Sequence, residues 1–313
     1  MSVPIQIPES RFADLDGPVH YAEWEGPPER TMVLVHGLGG SLLSWLAVAP
    51  GLARHGRVFA LDLIGFGQTP RAGRRSRLSD NRALVSRFVR EVAGGGPVVL
   101  FGNSMGGAIS MLEATLELDM VDGLVLTDSV YPWARGSAGR LSRSSRPAPI
   151  VMFGFGLYAV PRVGEFVSRQ RINRLEAERA VRLGFKISAS DHSRIDAELV
   201  RAHVEQLVRH QRDPDPGAAF LEAARSLMAL GRRPGLARWI MDGVKAPVLA
   251  IHGREDRLVP VGFAEAALLD HPEWEMRLLP RVGHVPQMEV PDRWLQAVGG
   301  WLSRLPEPVR PPN

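Results

Sequence analysis

The chain contains no cysteine, only two lysines and three tyrosines, and no apolar run approaching the ~20 residues that a membrane-spanning helix needs. The first absence excludes disulfides, thiol nucleophiles and thiolate metal sites, and it leaves the redox compartment open. The last argues against a transmembrane segment. The first 14 residues are polar, carry Pro4 and Pro8, and lack the basic-then-apolar order of a secretory signal, so a cytoplasmic location is expected. Scarce lysine means that 36 of the 38 basic residues are arginine, which does not titrate near neutrality. The pI is therefore about 10.0 although the formal net charge is only +4, too small an excess to point to nucleic acid. There is no P-loop and no zinc-type spacing of ligands, so neither cofactor nor metal is expected. Gly154, Gly156 and Ala159 fit a dinucleotide-binding glycine pattern, but Pro161 interrupts the helix that should follow.

What remains is ordinary globular composition, 45% hydrophobic and 23% charged over 313 residues, enough to bury a large core. Residues 10–15 and 19–25 flank Asp16-Gly17-Pro18, which is turn chemistry, and predict a hairpin. Short, largely apolar runs follow at 32–35, 58–63, 98–101, 124–127, 248–251 and 276–279. Helical spacing lies between several of them, at 41–54, 77–92 and from 105 to 118. Such alternation predicts an α/β fold: a doubly wound, mostly parallel eight-stranded sheet with helices on both faces. The alternation breaks between about 132 and 240, where helical and proline-punctuated sequence predicts a cap inserted after the sixth strand, over the ligand end of the sheet. The expected division is a core of residues 1–131 and 241–305, a mainly helical cap of 132–240, and a disordered, proline-rich tail of 306–313.

Gly102-Asn103-Ser104-Met105-Gly106 fits G-x-S-x-G and stands directly between a buried strand and a helix, the setting of a nucleophile elbow. A serine hydroxyl is a weak nucleophile near neutrality and needs a base within hydrogen-bond reach. Nine histidines are candidates. His36 and His252 end strands before glycine. His192, His203 and His210 fall in the insertion, and a solvated helix is expected for the last two. His20, His55 and His271 sit in or beside ordinary surface elements. His284 follows the last strand on a loop above the sheet edge and is the predicted base. Asp256 lies between the serine and the histidine in chain order, just past the fifth apolar run, and is the predicted orienting acid. Asp128, which also follows a strand, is the rival acid. Glu255 is excluded as a second acid facing the same site because neighbouring side chains diverge. The oxyanion donors are expected to be the backbone N–H groups of Met105 and Leu38, with Gly37 and Gly39 letting the backbone approach substrate.

His36-Gly37-Leu38-Gly39-Gly40, Asp62 to Thr69, Gly102 to Gly107, Gly253 to Asp256 with Pro260, and Gly283-His284 together resemble a capped α/β-hydrolase of the esterase and meta-cleavage-product hydrolase kind. The resemblance implies a structural role for the Asp62 segment, and a serine at the elbow separates the chain from epoxide hydrolases and haloalkane dehalogenases. The expected activity is cleavage of a carboxylic ester with an apolar acyl group through an acyl-enzyme. Carbon–carbon hydrolysis of vinylogous diketo acids and acyl transfer are the alternatives, and a non-catalytic receptor is the competing class. Residues 132–240 carry 18 arginines and Lys186 against 10 acids, a net charge of +9. With the apolar stretch 150–160, this would suit an anionic or lipid-like small-molecule substrate.

Overall fold

A computed structural model describes residues 5, 7–131, 162, 164–165, 176–211 and 217–306. The stretch 150–160, Pro161, the glycine pattern at 154–159 and residues 307–313 of the expected tail lie outside them.

The hairpin forms as read, with β1 (Arg11–Asp14) and β2 (Pro18–Trp24) paired antiparallel around Asp16 and Gly17, both at positive φ. Six strands follow: β3 (Thr31–Val35), β4 (Arg57–Leu61), β5 (Val98–Asn103), β6 (Val121–Thr127), β7 (Val248–Gly253) and β8 (Glu275–Leu279). The sheet has eight strands in the order β1-β2-β4-β3-β5-β6-β7-β8, parallel from β4 to β8. Every residue of β5 and β7 is buried, which is why their sequences show no alternation.

Side-chain alternation along these strands feeds two separate cores. Val33, Val35, Phe59, Leu61 and Leu100 face α1 (Leu78–Glu91) and α2 (Met105–Leu116). Met32, Leu34, Val58, Val99 and Phe101 face the opposite layer. Between β6 and β7 the helical cap supplies α3 (Ala177–Ser188), α4 (Ala197–His210), α5 (Ala218–Gly231) and α6 (Pro234–Gly243). Then come α7 (Gly262–Asp270) and α8 (Pro291–Leu302), whose Trp294 and Trp301 are buried in the second core. Among the described residues no helix is long and apolar enough to cross a membrane.

The single helix expected over 41–54 is instead two short pieces, a 3₁₀ turn Leu42–Trp45 and one α-turn Ala49–Leu52. Ser41 caps the first by accepting from the Leu43 N–H. Asp62 takes the Leu42 N–H at 2.7 Å, and Pro50, which has no N–H to donate, restarts the second piece near its first position. Asp62 also accepts from Gln68 N–H at 2.8 Å and pairs with His20 Nδ1 at 2.7 Å, so it ties three loops together as a structural group.

Candidate active site

The candidate nucleophile, base and acid leave the sheet at the carboxyl ends of β5, β8 and β7. Ser104 sits between β5 and α2 with φ 54° and ψ −117°, a conformation costing about 1–3 kcal/mol in an L-residue. Its neighbours explain how the turn persists. A Cβ on Gly102 would stand 2.5 Å from Gly107 Cα, and one on Gly106 would stand 2.6 Å from the His36 carbonyl oxygen. The turn is pinned at both ends: Ser104 N–H donates to the Thr127 carbonyl at 3.0 Å, and Ser104 O accepts from Gly107 N–H at 3.0 Å.

His284 and Asp256 are both buried, and Nδ1 of the ring lies 2.7 Å from Asp256 Oδ2. The other Asp256 oxygen accepts the Leu258 and Val259 N–H groups at 2.8 and 3.0 Å. Burial alone would raise the Asp256 pKa. The charge and hydrogen bond of His284, helped by His252 and the Val259 N–H, outweigh that and hold it below the usual carboxylate value. Glu255 points away, accepting the Val282 N–H at 2.9 Å, as the divergence of neighbouring side chains requires. Asp128, Asp256 and His284 bring ligand-type atoms within 4.8 Å of one another, but the ring nitrogen among them is already committed to Asp256 at hydrogen-bond distance.

Two residues not anticipated from sequence hold the His284 loop. Asn103, the variable residue of the elbow motif, donates its amide to the Thr127 carbonyl at 3.0 Å and the His284 carbonyl at 3.3 Å. Glu289 is buried and accepts three N–H groups: Gly283 at 2.8 Å, Ser190 at 3.1 Å and Asp191 at 2.9 Å. His284 N–H in turn donates to the Ser188 carbonyl at 2.6 Å, so the end of α3 is bonded directly to this loop. The only sequence signal for Glu289 is a lone acid among Val285, Met288 and Val290; Asn103 gives none, because its partner is 181 residues away. The imidazole–carboxylate bond is closed. Among the described residues, no hydrogen bond joins Ser104 Oγ to the His284 ring, a contact that in unliganded enzymes often tightens only with substrate.

The loop after β3 lies against the elbow. A Cβ on Gly37 would stand 3.0 Å from Ser104 Cβ, a clearance so tight that any larger residue here would press on the nucleophile. Gly40 N–H donates to the Gly37 carbonyl at 3.1 Å, and Gly39 has φ +74°, as a type II turn demands at its third position. Phe220 of α5 packs 3.3 Å from where a Gly39 Cβ would be, bringing the cap over this turn. Met105 opens α2 with its amide at a helix N-terminus, and Leu38 is half-buried within the turn.

Five other histidines make structural contacts. His36 Nε2 accepts the Leu63 N–H at 3.0 Å, and burial lowers the ring's pKa. His252 Nε2 lies 2.8 Å from the Val259 carbonyl and is likewise lowered by burial. The surface placement expected for His20 and His271 is corrected: both are buried, one against Asp62 and the other stacked on Trp274 at 4.5 Å. His203, on the helix expected to be solvated, is half-buried, packing edge-on to Phe185 at 5.1 Å with its Nδ1 2.8 Å from the Leu199 carbonyl.

Known proteins resemble this chain over nearly its whole length. A hydrolase of 2-hydroxy-6-oxo-6-(2'-aminophenyl)hexa-2,4-dienoic acid from Metapseudomonas resinovorans is 27% identical, covering 96% of this chain and 93% of its own. A pimeloyl-[acyl-carrier protein] methyl ester esterase from Aeromonas hydrophila is 28% identical over 85% of this chain and 93% of its own. Among solved structures, a thermophilic esterase from Thermogutta terrifontis superposes with a TM-score of 0.68 at 21% identity, covering 95% of this chain and 99% of the other, a likeness of fold alone. Residues 32–297 match the alpha/beta hydrolase family throughout, and with the sheet order and elbow described above the chain belongs to that family.

Proposed function

We propose that this chain is a serine hydrolase that cleaves carboxylic esters with an apolar acyl group. The observation that carries the reading is the buried 2.7 Å pair of His284 Nδ1 and Asp256, held by Asn103 beside a serine in the elbow conformation. In this mechanism His284 Nε2 takes the Ser104 proton as Oγ attacks the ester carbonyl. Asp256 fixes the ring tautomer and stabilises the imidazolium. The tetrahedral oxyanion receives hydrogen bonds from the Met105 and Leu38 N–H groups, with Gly37 and Gly39 allowing the approach. The imidazolium then protonates the departing alkoxide, leaving an acyl-Ser104. Water, deprotonated by the same ring, releases the acid and restores the hydroxyl. In this reading residues 1–131 and 241–305 form the catalytic core and 132–240 the lid that selects substrate.

One observation favours a second reading. The +9 charge of residues 132–240 suits substrates that carry a carboxylate, such as the vinylogous diketo acids cleaved between carbons, and the Metapseudomonas relative is named for such a compound. Purified protein should turn over p-nitrophenyl esters, become labelled at Ser104 by a fluorophosphonate, and lose about 10⁶-fold in kcat on Ser104→Ala with its fold intact. Turnover that survives Ser104→Ala would exclude the mechanism. A higher kcat/KM for diketo acids than for every ester would move the assignment to carbon–carbon cleavage.

A further inference from the structure

Asp128 is brought to the relay by sheet register. β6 and β7 pair as parallel neighbours with Thr127 opposite Ile251, so the residues just past their ends meet. Asp128 N–H donates to the Ile251 carbonyl at 2.9 Å, and Asp128 Oδ1 accepts the Gly253 N–H at 2.9 Å. Asp128 is wholly buried at φ 42°, and it lies in the same 4.8 Å cluster as Asp256 and His284.

Two carboxylates this close and this dry do not both ionise. The hydrogen bonds decide which keeps its charge. Asp256 receives three donors: two backbone N–H groups and the His284 ring. Asp128 receives one, and its Oδ2 is buried with no partner. An oxygen without a donor is satisfied if it carries a proton and has an acceptor beside it. Among the described residues no lysine or arginine pairs with Asp128. The groups facing it are Asp256, Glu289, Tyr131, His284 and His252, whose Nε2 is 3.7 Å away but lies closer, at 2.8 Å, to the Val259 carbonyl.

We infer that Asp128 stays protonated and donates its O–H to Asp256, so that the acid of the relay is a carboxyl pair sharing one proton. Asp128 is then a positioning residue, and the inference rests on the serine-hydrolase reading for its role though not for its protonation. The donated hydrogen bond holds the negative charge on Asp256 and lowers its basicity, so that the proton taken from Ser104 stays on the imidazolium and returns to the leaving group. No other bond changes. Burial, then the charge of Asp256, raise the Asp128 pKa well above the usual value, in agreement with the hydrogen-bond count.

The test compares wild type with Asp128→Asn, which replaces a neutral donor by a neutral donor. A group whose folded pKa is raised contributes stability that is present below its unfolded pKa, about 3.9, and is lost as pH rises toward the folded value. Urea unfolding should therefore show the wild-type folding constant falling about tenfold per pH unit relative to Asp128→Asn, starting near pH 4. The acid limb of kcat/KM should not move in Asp128→Asn, while kcat falls, because an amide N–H is a weaker donor to Asp256 than a carboxyl O–H, and KM holds. Infrared spectra of the Ser104→Ala protein near pH 7 should contain a protonated carboxyl C=O band that Asp128→Asn removes; Asp128→Ser replaces it should the amide variant not fold. A pH-independent stability difference with no such band would overturn the inference. So would an acid limb displaced to lower pH, the mark of a lost negative charge beside His284. The stability and infrared arms need no turnover, so failure to hydrolyse esters sinks only the proposed function.

Discussion

Gly106→Ala should destabilise the protein even though helix propensity says the opposite. Gly106 is the second residue of α2, and in a helix alanine is favoured over glycine by about 1 kcal/mol. Here the added Cβ would fall inside van der Waals contact of the Val35 carbonyl and 2.6 Å from the His36 carbonyl oxygen. Both are backbone atoms of β3 and the loop that follows it, so neither can rotate aside. Overpacking of this kind costs about 1–3 kcal/mol and occasionally more, and the propensity gain offsets only part of it. The net expectation is a loss of about 1–2 kcal/mol, roughly a fivefold to thirtyfold fall in the folding constant. Any relief must move the start of α2, and with it the Met105 amide and Ser104, so kcat should fall in the protein that remains folded. Gly184→Ala in α3 is the internal control. Nothing lies within 4 Å of its new Cβ, and the same chemical change there should stabilise by about 0.5–1 kcal/mol. Urea denaturation of both variants, with ester turnover measured in parallel, gives opposite signs if close approach is what keeps glycine in the elbow. Equal signs would refute the reasoning.

Glu289→Gln should lower both stability and kcat. An amide nitrogen cannot accept, so at least one of the three N–H groups now bound by the carboxylate is left facing a donor, at about 1–3 kcal/mol, and the His284 loop loosens with it. Thermal unfolding and kcat measured on one preparation check this, and a Gln variant indistinguishable from wild type in both would refute it. Asp62→Asn should cost about 2–4 kcal/mol, because Asp62 satisfies the buried Leu42 N–H, the Gln68 N–H and the buried His20 ring. Its kcat/KM should change little in the folded fraction, since Asp62 touches none of Ser104, Asp256 or His284; a large loss of kcat/KM without destabilisation would contradict the structural role.

Much of this arrangement is legible in the chain because it follows from local chemistry. Val98 to Phe101 is apolar without a break, Gly102 and Gly106 bracket a serine, and the order of Ser104, Asp256 and His284 fits one known topology. The parts that are not legible depend on residues far apart in sequence. His20 lies in a short strand whose alternation does not say which face is inward, and its partner Asp62 is 42 residues away. The helix expected over 41–54 has suitable apolar spacing, and Pro50, which has no N–H to return to the preceding turn, divides it. Asn103 and Glu289 show the same limit. Their neighbours in sequence give no hint of the loops they hold.

That distribution has a physical reason. A parallel sheet fixes where strands end to within a residue, so Ser104 and Asp128 are positioned by register: Ser104 N–H bonds the Thr127 carbonyl, and Asp128 N–H bonds the Ile251 carbonyl. His284 has no such support, because it stands on the loop beyond an edge strand. It is held by side chains and by close backbone packing: a Cβ on Gly253 would collide with the carbonyls of Val282 and Gly283, and one on Gly283 would stand 2.6 Å from Ser190 N. The candidate base is therefore bonded to the core through Asn103 and Asp256 and to the cap through Ser188 and Glu289. Displacement of α3 would be felt at the imidazole directly. Under the proposed serine-hydrolase mechanism, the cap would act on the chemical step as well as on the choice of substrate, through hydrogen bonds that involve no substrate atom.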